Sequence, residues 1–152
     1  MTQNQTEPRA AMPVGQAIGQ TLGQAQSVLT GLLGEKVAQA GTERETYLAL
    51  QRLGVLGDAA SRDDYIRDLA DWLDLDPRSA AELADGLVVG GLVTAHDDGT
   101  VRIADSGAEL RAAIVAAVSA VTAPIYESIS AADVETTVRT LRYITTSVRA
   151  RS

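Results

Sequence analysis

Apolar residues recur along most of this chain at three- and four-residue intervals, the period of helices with one buried face. Val14, Ile18, Leu22, Leu29, Leu33 and Val37 advance in steps of 4, 4, 7, 4 and 4 and stop near Gly41, which predicts a long first helix. Within it the repeat Gly15-Gln16-Ala17-Ile18, Gly19-Gln20-Thr21-Leu22, Gly23-Gln24-Ala25-Gln26 sets three glycines on one face. Each glycine costs a helix about 1 kcal/mol against alanine. A close helix–helix contact at that face is the expectation, against an accident of composition; the glutamines exclude a membrane reading of the repeat. The residues before it, 1–13, are polar, contain Pro8 and Pro13, and read as a disordered tail.

Four local signals place the next helices. Thr42-x-x-Glu45 has the form of a capping box opening a helix through Tyr47, Leu50 and Leu53 to about Leu56, stopped by Gly57. Ser61 with Asp64 opens a third, with Ile66, Leu69, Ala70 and Leu73 facing inward. Asp76-Pro77 couples an N-cap to a proline in the first turn and opens a fourth, burying Ala80, Leu83, Ala84 and Leu87 and ending at Gly90-Gly91. The β signal follows: Leu92–His96 and Thr100–Ile103 flank Asp97-Asp98-Gly99, a hairpin cue. The helical period then returns in Leu110, Ile114, Val118, Val121 and Ile125, and Ser130-x-x-Asp133 caps a last helix with stripe Val134, Val138, Leu141, Ile144 and Val148.

Helix, helix, Gly-Gly and a two-stranded ribbon make a winged helix-turn-helix, so the fold class is mainly α with a two-stranded β-wing. The second helix of such a pair lies in the DNA major groove with its N-terminal residues at the base edges. A helical wheel turns Arg78, Glu82, Asp85, Gly86 and Val89 outward, with Ser79 flanking. Arg78 suits guanine or a phosphate, Ser79 a phosphate, and Glu82 a cytosine amine. The ribbon adds His96, Thr100 and Arg102, and Arg62 stands near the backbone.

The order and lengths of these elements, from about Val14 to Arg149, resemble the MarR family of bacterial transcription regulators. Leu75 to Ser79 looks like that family's recognition-helix entry. Ala104-Asp105-Ser106-Gly107 stands where the family has its ribbon exit, and Ser130 to Leu141 where it has its terminal dimerisation helix. The resemblance implies a homodimer that interlocks its first and last helices and sets two winged modules on successive major grooves. It also implies repression relieved by a small aromatic ligand, with Arg44, Tyr47 and Trp72 as the residues that would line its cleft. The chain then divides into a tail (1–13), a helical dimerisation region (14–41 and 107–151) and a winged module (42–106).

Composition changes this picture in two ways. With 3% aromatics and no Phe, the core must be built from Ala, Leu, Val and Ile, which suits helices. The absence of Cys removes disulfides, thiolate metal sites and cysteine nucleophiles. Sequence motifs for nucleotide loops, serine hydrolases and His–carboxylate metal sites are missing, so neither catalysis nor a cofactor is expected. Asp64, Asp68 and Asp71 could form a carboxylate stripe, read as a solvated helix face rather than a metal site. No uninterrupted apolar run approaches 18 residues and no signal-peptide core is visible, which predicts a soluble, cytoplasmic protein.

Charge cuts against the DNA reading. Residues 58–105 hold 4 Arg against 11 Asp and Glu82, a balance of 4 − 12 = −8, whereas the rest of the chain carries 9 basic and 8 acidic residues, +1. The ribbon is short and offers Asp97-Asp98 with only Arg102, where MarR ribbons carry several arginines. The alternative is therefore a non-DNA-binding winged-helix dimerisation or adaptor protein with an acidic interaction face. Such modules resemble the N-terminal dimerisation domains of small-molecule O-methyltransferases, in which Leu-Asp-Pro-Arg and an Asp-Gly ribbon recur.

Overall fold

The computed structural model describes residues 13–152; most of the tail expected over 1–13 thus lies outside the described residues. Six helices and a hairpin follow in order: α1 (Val14–Gln39), α2 (Arg44–Leu56), α3 (Arg62–Leu73), α4 (Pro77–Val89), β1 (Val93–Ala95), β2 (Val101–Ile103), α5 (Asp105–Glu127) and α6 (Ala131–Arg149). This is the expected mainly helical architecture with a two-stranded wing.

Three of the four capping signals act as the sequence implies. The Ser61 hydroxyl accepts from the Asp64 N–H at 3.1 Å, and the Ser130 hydroxyl from the Asp133 N–H at 3.2 Å. Asp76 Oδ1 accepts from the N–H groups of Arg78 and Ser79, both at 3.0 Å. Thr42 does not cap α2. Its N–H bonds back to the Val37 carbonyl at 3.2 Å, so Thr42 closes the end of α1, and α2 starts from an extended Glu43 without a side-chain cap.

The main core lies inside the winged module. Ala49, Leu50 and Leu53 of α2, Tyr65 and Leu69 of α3, Ala80, Ala84 and Leu87 of α4, and Val93 and Val101 of the hairpin are buried together. Tyr65, absent from the predicted stripe, is its largest side chain; its hydroxyl donates to the Ala49 carbonyl at 2.8 Å. Burial, reinforced by the nearby Asp68 carboxylate, pushes the phenol well above its ordinary pKa, so it remains a donor across physiological pH. A smaller cluster, Val37, Tyr47 and Ile114, joins α1, α2 and α5.

The hairpin pairs Val93 with Ile103, Thr94 with Arg102 and Ala95 with Val101, antiparallel, and Gly99 turns at φ 81°. It is anchored to the start of α3. Ser61 bridges Thr100, the Arg62 N–H donates to the Gly99 carbonyl at 3.0 Å, and the Val101 N–H to the Ala60 carbonyl at 2.9 Å. At the exit, Gly107 lets α5 pass close under the hairpin: a Cβ there would fall 2.1 Å from the Leu92 carbonyl oxygen, so no other residue fits without a backbone shift.

The ends of the chain are less covered. α6 buries no residue, and Val134, Val138, Leu141 and Val148 are exposed, as are Val121, Ile125 and Tyr126 on α5 and Val28 and Leu29 on α1. Nothing lies within 4 Å of where a Cβ would project from Gly15, Gly19 or Gly23, so the close helix contact expected at the glycine repeat does not occur among the described residues. By length and composition α5 is apolar enough to cross a membrane. Arg111 and Glu127 bound its apolar stretch, and Ser119, Thr122 and Pro124 interrupt it, so it contains no uninterrupted apolar run of membrane-spanning length.

Candidate nucleic-acid interface and effector cleft

Helix α4 is amphipathic by construction. Ala80, Ala84 and Leu87 bury one side, and Arg78, Glu82, Asp85, Gly86 and Val89 are exposed on the other, as the wheel implies. Val89 is 89% exposed, an isolated apolar group at the end of this outward row. The Asp76 cap and Pro77 fix where the helix begins and therefore which residues occupy its first turn.

Of the six residues expected to meet DNA, Arg78, Ser79 and Glu82 lie on α4, Arg62 reaches it from α3, and Thr100 and Arg102 lie on the wing. Arg102 is on the side of the hairpin away from the Val93, Ala95 and Val101 that face α4; each of the six has a polar partner in the chain. Arg62 at the start of α3 reaches α4: its Nε and Nη2 donate to Asp85 Oδ1 at 3.1 and 2.8 Å, and Nη2 also to Oδ2 at 2.9 Å. Arg78 Nε donates to Glu82 Oε1 at 3.0 Å, so these two, expected at different bases, hold each other one turn apart. The Ser79 hydroxyl donates to Asp76 Oδ2 at 2.6 Å and completes the cap. That bond and the Ser79 N–H keep the Asp76 carboxyl below the usual carboxylate range. On the wing, the Thr100 hydroxyl and N–H donate to Asp98 Oδ1 at 2.6 and 2.9 Å and lower that carboxyl likewise. Arg102 Nε donates to the Asp58 carbonyl at 3.0 Å.

The three residues expected to line an effector cleft do come together. Arg44, Tyr47 and Trp72, with Leu33, Leu48, Arg52, Val55 and Leu75, surround a cleft of about 750 Å³ between α1, α2 and the α3–α4 turn. Tyr47 is largely buried, and its hydroxyl accepts from Gln51 Nε2 at 2.5 Å. Trp72 is 60% exposed, with the Arg52 guanidinium 4.1 Å from its ring centroid.

Sequence reasoning misses Arg52 as part of this cleft. It is held by Asp68, Nε to Oδ2 at 2.8 Å and Nη2 to Oδ1 at 2.7 Å. Asp68 is accordingly no member of a solvated stripe: it is half-buried, and Asp64 is paired with Arg67 at 3.0 Å, which leaves Asp71 as the one of the three without an ion pair among the described residues. Among the described residues no group of three His, Asp or Glu side chains is placed to hold a metal ion.

No family model matches the sequence, and no curated protein matches it. Solved structures do match in fold. A MarR family protein from Bacillus stearothermophilus superposes with a TM-score of 0.73 at 19% identity, covering 91% of this chain and 99% of its own. CouR from Rhodococcus jostii RHA1, solved with p-coumaroyl-CoA, gives 0.67 at 22% identity, covering 88% and 95%. A single-residue mutant of MepR from S. aureus, solved with an oligodeoxyribonucleotide, gives 0.55 at 14% identity, covering 86% and 97%. The chain has the fold of the MarR regulators over nearly its whole described length.

Proposed function

We propose that this chain, starting from its MarR fold, acts as a homodimeric, sequence-specific DNA-binding transcription regulator in the cytoplasm, without catalytic activity or cofactor. The observation that carries the reading is the solvent-facing row Arg78, Glu82, Asp85 and Val89 on a capped helix whose other side is core, with the wing braced against the neighbouring helix. A helix so mounted can enter a major groove as a rigid element. Arg78, Ser79 and Glu82 stand at its leading end, Arg62 is tied to it through Asp85, and Thr100 and Arg102 belong to the wing. The exposed apolar side chains repeated along α1, α5 and α6 support twofold pairing, in which a second copy would cover them.

A small aromatic ligand in the Arg44–Tyr47–Trp72 cleft is the proposed effector. The cleft includes Trp72, Leu73, Asp74 and Leu75, the residues that lead directly into the cap of α4, so an occupant there bears on the start of the proposed reading helix.

The test is a titration of the dimer against the DNA upstream of its own coding sequence at low and high salt. Arg78→Ala is expected to abolish sequence-selective binding. Arg102→Ala weakens all duplexes alike and lowers the salt slope by about one. The second reading, an adaptor that binds no DNA, is favoured by the −8 balance of residues 58–105. No binding by a verified dimer at low salt would decide for it.

A further inference from the structure

The four arginines of residues 58–105 differ in how they are held. Arg67 and Arg78 pair through one nitrogen each with a carboxylate on the same helix, three and four residues away, and all four side chains are well exposed. Water opens such pairs at little cost. Arg102 bonds a neutral carbonyl through Nε alone. Arg62 is gripped by a carboxylate through two of its nitrogens, across 23 residues of sequence, and both partners are about half exposed. Two-point guanidinium–carboxylate pairs are the strong kind. The groove beside the pair is walled by Val88, Val89, Val93 and Ala95, whose side chains give neither partner a polar substitute.

Asp85 lies on the same exposed row as Arg78 and Glu82, roughly two helical turns from Arg78. A phosphate approaching Arg62 therefore meets a carboxylate already in the guanidinium fork. We propose that Asp85 is a built-in competitor for DNA phosphate: it keeps Arg62 closed until a duplex displaces it, and so sets the affinity and selectivity of the interface. The inference rests on the DNA-binding reading. A duplex that makes the remaining contacts well can open the pair; one that makes them poorly cannot. Non-specific binding is thereby suppressed more than specific binding.

The experiment measures anisotropy of a labelled mixed-sequence duplex of about 30 base pairs, roughly three helical turns, against wild type and three variants, alongside the DNA upstream of the gene. Asp85→Ala is expected to bind the mixed duplex about fivefold tighter at low salt, with a salt slope steeper by about one per arginine released. Asp63→Asn removes the same charge near the start of α3, but Asp63 holds no arginine among the described residues; its gain should be far smaller. Arg62→Ala combined with Asp85→Ala should lose the gain. A gain equal to that of Asp63→Asn, or one that survives without Arg62, reduces the effect to bulk charge and overturns the proposal. If wild type selects the upstream DNA while Asp85→Ala binds no tighter, the competitor falls and the regulator stands. If neither binds any duplex at low salt, both fall. Should Asp85→Ala unfold, the isosteric Asp85→Asn takes its place, with the thermal midpoint recorded for each.

Discussion

The winged module and the helical ends of this chain handle apolar surface in opposite ways. In the module, α2, α3, α4 and the hairpin enclose a contiguous core with Tyr65, Leu50 and Leu69 fully buried. At the ends, α6 is as regular a helix as any in the module, yet it buries nothing, and its stripe faces solvent together with parts of α1 and α5. Regular helical hydrogen bonding accompanies both; what differs is whether the chain itself supplies the opposing surface. The module is stabilised from within, whereas the chain leaves much of the apolar surface of its ends uncovered.

Breaking the module should have the largest effect. Leu69→Ala removes a fully buried side chain and is expected to cost about 2–5 kcal/mol in a urea titration. Leu141→Asp, by contrast, should leave the module folded and shift the mass measured by light scattering from dimer to monomer; a folded dimer in that variant would refute the contrast between module and ends. Arg52→Ala, which strands half-buried Asp68, should cost about 1–3 kcal/mol and also strip the cation from the Trp72 ring. Tyr65→Phe loses one buried hydrogen bond, worth about 0.5–1.5 kcal/mol.

The smallest effect concerns pH. The Asp76 carboxyl titrates below its ordinary value because Ser79 and the backbone bind its charged form, so its contribution is present above the ordinary carboxylate pKa and is lost as pH falls through the depressed one. On acidification, hydrogen exchange at the Arg78 and Ser79 amides of the wild type should become fast relative to its intrinsic rate at each pH. In Asp76→Ala it should already be fast at neutral pH.

Much of this division is legible in the sequence where the causes are local. Ser61, Asp76 and Ser130 cap as their spacing implies, because a side chain and an N–H two or three residues on meet whatever the rest of the chain does. Thr42 has the same spacing to Glu45, but the Val37 carbonyl claims its N–H first, and the helix begins one residue later than a capping box requires. Tyr65 escapes an aliphatic stripe because a phenol can be core only if a carbonyl waits for it, and that carbonyl is 16 residues away. Arg52–Asp68 and Arg62–Asp85 escape for the same reason: no periodicity within one helix reveals a pair across two. Helical periodicity therefore turns Arg78 outward on α4, while only the tertiary structure brings the existing partners of Arg52 and Arg62 into view.

Trp72 is the sole indole in the sequence and sits half in water at the rim of the cleft, with a guanidinium stacked on it. Emission excited selectively at tryptophan therefore arises from one known place, a few residues before α4. The protein carries its own optical probe of the α3–α4 turn, and occupancy of the cleft can be followed in the native chain without attaching a dye.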